Sequence, residues 1–355
     1  MNKNLRDLYI DFLISSSNKV TATTLSKMLG YGYSHDRFTK MLLDDNIFRE
    51  EELFNYIKPM IREYEDINDG IISIDDMIIN KPYTDENDIV AWHYSHTTGN
   101  VVKGICMLNF LYTSKNEDIS IPLGYELITK TIKYRAKDGK ERRKGVYTKN
   151  EIMRDKLDIL QNNNHIKYKY IVADSWFSSV ENMRFIDERL GKIFVFGLKS
   201  NRNVALNEDD KIKGKYCKIR DVDMEGCNSR QVYLKGYNKP LQVTRLFVKN
   251  GNDGEAIYSY LITNETINSN IFTIYKKRWK VEEYHKSLKQ NLKIEKSPTK
   301  SIVSQNNHIL LSVCGFVKLE KLKQNYNMNH FALKEKIYIK ALNIAFKELE
   351  KLKVA

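Results

Sequence analysis

The stretch YKYIVADSWF, Tyr168 to Phe177, decides the fold. Its apolar, β-branched middle reads as a buried strand, and the strand runs straight into an acid, Asp174. An acid placed directly after an apolar strand is costly unless something caps, pairs or binds it. One reading makes Asp174 a turn or helix cap for the SWFSSVEN that follows. The other aims its carboxylate at a ligand from the carboxyl end of a strand.

Working outward, the same texture recurs on both sides. GIISIDDMII (Gly70–Ile79) is a β-branched run carrying the acid pair Asp75 and Asp76, read as the end of a strand. VVKGICMLNFLYTS and ISIPLGYELITKT are two further strands. Residues 150–164 and VENMRFIDERLG read as helices, and KIFVFGLKS as another strand. Three strands, then helix, strand, helix, strand, predict an α/β fold: a mixed sheet with helices on its faces. Residues 201–264 shift to short alternating segments separated by Gly and Asn turns, which predicts an inserted antiparallel β subdomain.

Residues 1–66 are helical in pattern. VTATTLSKMLG and YGYSHDRFTKMLLDD read as two short helices across a glycine-containing turn, with Thr21 or Thr23 capping the first and Ser34 the second. This fits a helix-turn-helix for DNA or a plain helical hairpin. Past the β segment, Asn268 or Ser269 is placed to cap a helix over 265–300, and two more helices fill 301–355.

Composition narrows the partners. The 355 residues are 42% hydrophobic, enough for two or three domains with a sizeable core. Lys and Arg total 58 against 45 acids, a formal charge of +13, which favours polyanions and nucleic acid first. A merely lysine-rich protein is the bland alternative. Cys106, Cys217, Cys227 and Cys314 are scattered, which fits neither a zinc framework nor a disulfide scaffold. The amino terminus has no signal-peptide core and no segment reaches transmembrane length, so we expect a soluble protein of a reducing compartment with no membrane partner.

The third acid comes from IYKKRWKVEEYHKSLKQ (Ile274–Gln290), rich in lysine. Tyr275, Arg278, Glu282 and Lys289 fall within about 60° on one helical face at ~100° per residue. Ile274, Val281, Leu288 and Leu292 form a neighbouring apolar stripe. Alone, the charged face reads as helical ion pairs. Together with strand-end acids on a basic chain, Glu282 becomes a third carboxylate. Three carboxylates can hold two Mg²⁺ ions, with Mn²⁺ as a substitute, for phosphodiester displacement while cations hold the phosphates.

At these residues the sequence resembles the insertion-sequence transposases of the IS-four type, in the DDE superfamily. Tyr275, Arg278, Glu282 and Lys289 match their YREK signature in spacing. IDD at 74–76 and VADSWF at 172–177 look like the segments bearing the two catalytic aspartates. Asp174 follows Asp76 by 98 residues, and Glu282 follows Asp174 by 108. The resemblance covers essentially the whole chain.

It implies a ribonuclease H-like core (67–200, then the glutamate helix) interrupted by the β insertion. It implies Asp76, Asp174 and Glu282 as catalytic metal ligands, with Asp75 the alternative first ligand. It also implies that Tyr275, Arg278 and Lys289 contact transposon-end DNA. The expected activity is cut-and-paste transposition: metal-dependent cleavage at terminal inverted repeats and strand transfer into target DNA. A homodimer would hold both ends in the bacterial cytoplasm, at the nucleoid. A nuclease that cuts without joining and an inactive DNA-binding derivative are the alternatives.

Three further features carry expectations. TKTIKYRAKDGKERRKGVYTK (Thr129–Lys149) has nine Lys/Arg against two acids, and its Arg142, Arg143 and Lys144 read as a phosphate-tracking hairpin or loop. His93 and His96 read as hydrogen-bonded structural histidines and not zinc ligands. Trp176 and Trp279 read as core or wall beside the catalytic positions.

Overall fold

A computed structural model describes residues 3–17, 19–46, 50–95, 98–114, 118–224, 227–250, 256–266 and 271–354. Four helices lead the chain: α1 (Lys3–Ser15), α2 (Ala22–Met28), α3 (His35–Leu42) and α4 (Glu50–Tyr64). Thr21 caps α2 by accepting from the Thr24 N–H at 3.1 Å, whereas Ser34 precedes α3 without a side-chain cap. Gly30 and Tyr31 turn between them at φ of 60° and 62°.

The sheet follows: β1 (Ile71–Asn80), β2 (Val90–Ser95), β3 (Asn100–Thr113) and β4 (Ser120–Leu127), then the hairpin β5 (Ile132–Arg135) and β6 (Glu141–Lys144). Helix α5 (Lys149–Asp158) crosses to β7 (Tyr170–Ala173), and α6 (Val180–Arg184) leads to β8 (Ile193–Leu198). The capping box Thr148–Glu151 fixes where α5 begins. Both helices run on into single π-helical turns, 159–163 and 185–189.

Next come β9 (Asn203–Val204), α7 (Glu208–Ile212), β10 (Cys217–Lys218), β11 (Ser229–Val232), β12 (Leu241–Asn250) and β13 (Ala256–Thr263). The chain then forms α8 (Ile271–Lys276), α9 (Trp279–Gln290), α10 (Ile302–Tyr326) and α11 (His330–Val354). Asn268, Ser269 and His96 lie outside the described residues.

Among the described residues nine strands form one mixed sheet in the order β11-β12-β13-β8-β7-β1-β3-β2, with β4 also on β3. β1, β7 and β8 run parallel, because helical crossovers separate them. β3 lies antiparallel to β1 and β4 antiparallel to β3. The 201–264 segment is antiparallel in β11–β13. These strands continue the main sheet through the β13–β8 pairing, so that part of the segment is an extension of the sheet.

Both faces of the sheet are covered. Ile71, Tyr170, Val172, Val195 and Leu261 share one face with Ile271 and Ile274 of α8. The other residues of those strands join a larger core reaching the amino-terminal helices and α10, where Tyr9 hydrogen-bonds His308 at 3.0 Å. The strand period of two therefore decides which helix each strand residue meets.

Candidate active site

Asp75 and Asp76 sit in the middle of β1, not at its end, because the strand runs on to Asn80. Adjacent strand residues point to opposite faces, and the two acids part accordingly. Asp75 falls with Ile71 on the face beneath α8 and α9. Asp76 falls with Ile72 and Ile74 on the other face. There Lys149, the first residue of α5, places its Nζ 2.9 Å from Asp76 Oδ2, and the Cys106 thiol lies 3.5 Å from the same oxygen. Burial, then the Asp76 charge, pushes the Cys106 thiol up to about 12.

Asp174 follows β7 by one residue. β1 and β7 pair Ile74 with Ala173, so Asp75 and Asp174 follow at matching positions on parallel neighbours. Asp174 also accepts the Trp176 N–H at 2.9 Å, so the turn reading of this residue holds as well. Gly197 of β8 makes room for the group. A Cβ there would stand 3.0 Å from Ser175 N and 3.0 Å from the Tyr275 hydroxyl.

The helix expected over this region is broken in two. α8 ends at Lys276, and α9 starts after Arg278. Lys277 and Arg278 form a tighter turn, with Arg278 N–H bonded to Tyr275 O at 2.9 Å. The break leaves Tyr275 at the end of α8 and Arg278 at the joint, with its guanidinium 5.7 Å from the Tyr275 ring centroid. Ile274, Val281, Leu288 and Leu292 are all buried, as their stripe predicts.

Arg278 gathers the acids. Its Nη2 donates to Glu282 Oε1 at 2.8 Å and its Nη1 lies 3.4 Å from Asp75 Oδ2. Burial pushes the Asp75 carboxyl up to about 7. Arg278 opposes that shift, and the charges of Asp174 and Asp76 add to it. Among the described residues no three Asp, Glu, His or Cys side chains stand close enough to hold a metal ion, and the guanidinium bridges Asp75 and Glu282.

The raised Asp75 value has a measurable sign. A carboxyl whose folded pKa lies above its unfolded one contributes stability below about pH 4 and loses it as pH rises towards 7. In EDTA, Asp75→Asn is expected to melt above wild type at pH 8 and to match it near pH 4. The ceiling is about 4 kcal/mol, at 1.36 kcal/mol per pKa unit. An equal difference in melting temperature at both pH values would contradict the burial of this charge.

The other expected DNA contacts separate from this centre. Lys289 donates to the Ile78 carbonyl at 2.8 Å and pairs with Glu295 at 3.1 Å, so it braces α9 against β1. The basic stretch does form a hairpin, β5–β6, in which Arg142 pairs with Asp138 at 2.6 Å and Arg143 lies 3.8 Å from Glu86. Lys144 lies over the Tyr134 ring. His93 is buried, with no hydrogen-bond partner at Nε2 among the described residues, and burial first, then Lys130 and Lys149, lowers it to about 4. Trp176 and Trp279 are not core: they are 54% and 58% exposed. Trp279 lines a cavity of about 570 Å³ with Tyr275, Arg278 and Lys280. Lys149 was missed as a site residue. Its only signal was its place at the end of the basic stretch.

Comparison with known proteins bears on this arrangement. A family described as "Transposase DDE domain" matches residues 145–315, which hold Asp174, Arg278 and Glu282. No curated protein matches. Among solved structures, the Drosophila P element transposase strand transfer complex is similar at 11% identity and a TM-score of 0.27. The likeness covers 60% of this chain and 49% of that one, so the chain spans about half the length of that transposase. No helix of the described residues is long and apolar enough to cross a membrane. A second family, described as "DDE superfamily endonuclease", matches residues 3–217, more than half of the chain and including both β1 acids and Asp174. By that match the chain belongs to the DDE superfamily of endonucleases.

Proposed function

We propose that this chain is a cut-and-paste DNA transposase of the IS-four type. In this reading it cleaves at the terminal inverted repeats of an insertion sequence and joins the freed 3′-hydroxyl to target DNA. The observation that carries the reading is that Arg278 bridges Asp75 and Glu282, with Asp174 following β7 at the position that matches Asp75 on the neighbouring parallel strand. The run β4-β3-β1-β7-β8, three antiparallel strands followed by two parallel ones, supports a ribonuclease H-like core.

The donor set suits the metal that such chemistry uses. All three side chains offer carboxylate oxygens, the ligands preferred by Mg²⁺ and Mn²⁺. Burial raises the Asp75 carboxyl, and the neighbouring Asp174 and Asp76 charges add to that shift. Geometry favours Asp75 over Asp76 as the first ligand, since Asp76 turns to Lys149 on the far face. A pair of divalent ions held there would supply activation of the attacking oxygen and stabilisation of the leaving one.

The protein's own groups then hold the DNA. Arg278, on release from Glu282, is placed to take a backbone phosphate bidentately. The Tyr275 ring lies beside that guanidinium, 5.7 Å from ring centroid to Cζ. The outer face of α3, with Arg37 and Lys40 exposed, suits a duplex groove, and the β5–β6 hairpin suits phosphate tracking. A homodimer would bring both ends together. The apolar residues left exposed along α11, among them Leu342, Phe346, Leu349 and Leu352, support that assembly.

The test is strand cleavage by purified protein in Mg²⁺, on a duplex bearing the end of the element that encodes it. Nicking at the terminus followed by joining to a second duplex is expected, in a complex whose mass by light scattering corresponds to two protomers. Cleavage without joining would make it a nuclease. Binding without cleavage in Mg²⁺ or Mn²⁺ would make it a DNA-binding derivative.

A further inference from the structure

The turn that presents Asp174 is held from behind by one side chain. Within the turn, Asp174 accepts the Trp176 N–H through its carboxylate at 2.9 Å and the Phe177 N–H through its backbone carbonyl at 3.3 Å. The Phe177 carbonyl accepts a further hydrogen bond from Asn182 Nδ2 at 2.9 Å. Asn182 stands in α6 and is fully buried, although asparagine is a residue type found mostly exposed. A buried amide is costly unless its donors and its acceptor are met.

They are met here. Asn182 Nδ2 also donates to Asn150 Oδ1 at 2.9 Å, and Asn182 Oδ1 accepts from Arg154 Nη1 at 2.7 Å. The Asn182 backbone N–H goes to Ser179 Oγ at 3.2 Å, at the start of α6. A guanidinium can only donate and a backbone carbonyl can only accept, so one orientation of the amide suits its surroundings. An aspartate of the same size would keep the Arg154 bond but set an oxygen against the Phe177 carbonyl. Asn150 and Arg154 belong to α5, whose first residue, Lys149, pairs with Asp76. The amide thus ties the turn after β7 to the helix that meets the far face of β1.

We propose that Asn182 is a positioning residue for Asp174, holding the turn after β7 through the Phe177 carbonyl in the one geometry that presents the Asp174 carboxylate beside Asp75. The inference rests on the reading of Asp174 as a metal ligand and deepens it by naming the group that aims this acid.

Two measurements on the full-length protein test it. With ¹⁵N-tryptophan labelling, Trp92, Trp176 and Trp279 each give a backbone amide resonance in EDTA, and its loss in Trp176→Phe assigns the one bonded to Asp174. Asn182→Asp is expected to shift that resonance and leave the amides of Trp92 and Trp279 in place. The same variant should weaken Mn²⁺ binding, followed by electron paramagnetic resonance, about tenfold, the lower end for a group that supports a ligand. Its affinity for a short blunt duplex should stay within a few fold of wild type. Asn150→Ala removes the α5 partner but keeps the Phe177 bond, so it should leave both the Trp176 amide and Mn²⁺ affinity near wild type.

An unmoved Trp176 amide in Asn182→Asp would overturn the proposal, as would movement of all three amides, which marks a general loosening. Equal effects of Asn150→Ala and Asn182→Asp would reduce Asn182 to a packing role and overturn it too. So would wild-type Mn²⁺ affinity in a variant whose Trp176 amide has moved. A wild type that binds no Mn²⁺, with the Trp176 amide still moved by Asn182→Asp, would leave the hold on the turn standing and sink the metal reading of Asp174.

Discussion

Asp174→Asn is expected to lower strand cleavage by a thousandfold or more, about 4 kcal/mol of transition-state stabilisation, while leaving end-DNA affinity within a few fold. The change is nearly isosteric. The Asn side-chain oxygen can still accept the Trp176 N–H, so the turn after β7 keeps its shape. What disappears is a formal negative charge beside Asp75, at the point where the proposed divalent cation would be held. Because the Asp174 charge helps to raise Asp75, the variant should also lower the pH at which Asp75 ionises. Single-turnover cleavage and a gel-shift titration on one preparation separate the two effects. Wild-type cleavage in the variant would remove Asp174 from the metal set, and lost binding would instead indicate a damaged fold.

The two adjacent acids of β1 are expected to behave unlike each other. Asp75→Asn should match Asp174→Asn, with cleavage down about a thousandfold and Mn²⁺ binding lost. Asp76→Asn should cost about tenfold to a hundredfold, the range for a group that acts by supporting a ligand. Removing that carboxylate leaves the Lys149 ammonium half-buried without its partner, which strains the start of α5 more than it touches the acids under α9. Mn²⁺ titration followed by electron paramagnetic resonance provides a reading independent of turnover. If Asp76→Asn abolishes Mn²⁺ binding and Asp75→Asn does not, the first ligand is the residue that the family resemblance implies, and β1 must present its other face.

That ambiguity shows what the sequence could and could not convey. Asp174 and Glu282 were legible because each stands where a pattern breaks: an acid ending a β-branched run, and a glutamate in register with Tyr275 and Arg278. The choice between Asp75 and Asp76 was not legible. A strand has a period of two, and which parity faces which helix depends on partners about 100 and 200 residues away in the chain. The break between α8 and α9 was hidden for a different reason. Lys277 and Arg278 are good helix formers, and no Gly or Pro marks the joint. The extent of β1 was misjudged because two acids in a strand's middle look like its end. The outward turn of Trp176 and Trp279 was invisible, since a tryptophan next to apolar residues carries no sign of which side faces water.

The pairing of β13 with β8 has a consequence for how such a chain can change. Leu261 lies opposite Gly197, and Gly197 backs directly onto Ser175 and the Tyr275 hydroxyl. The extra strands are therefore spliced into the same backbone ladder that spaces the acids. Lengthening the chain in the turn between β11 and β12 moves only that turn. One additional residue inside β13 would invert every side chain beyond it and shift the frame on which Asp174 is hung. Descendants of this sequence are thus free to vary at the sheet's outer rim and are locked, residue for residue, along the seam.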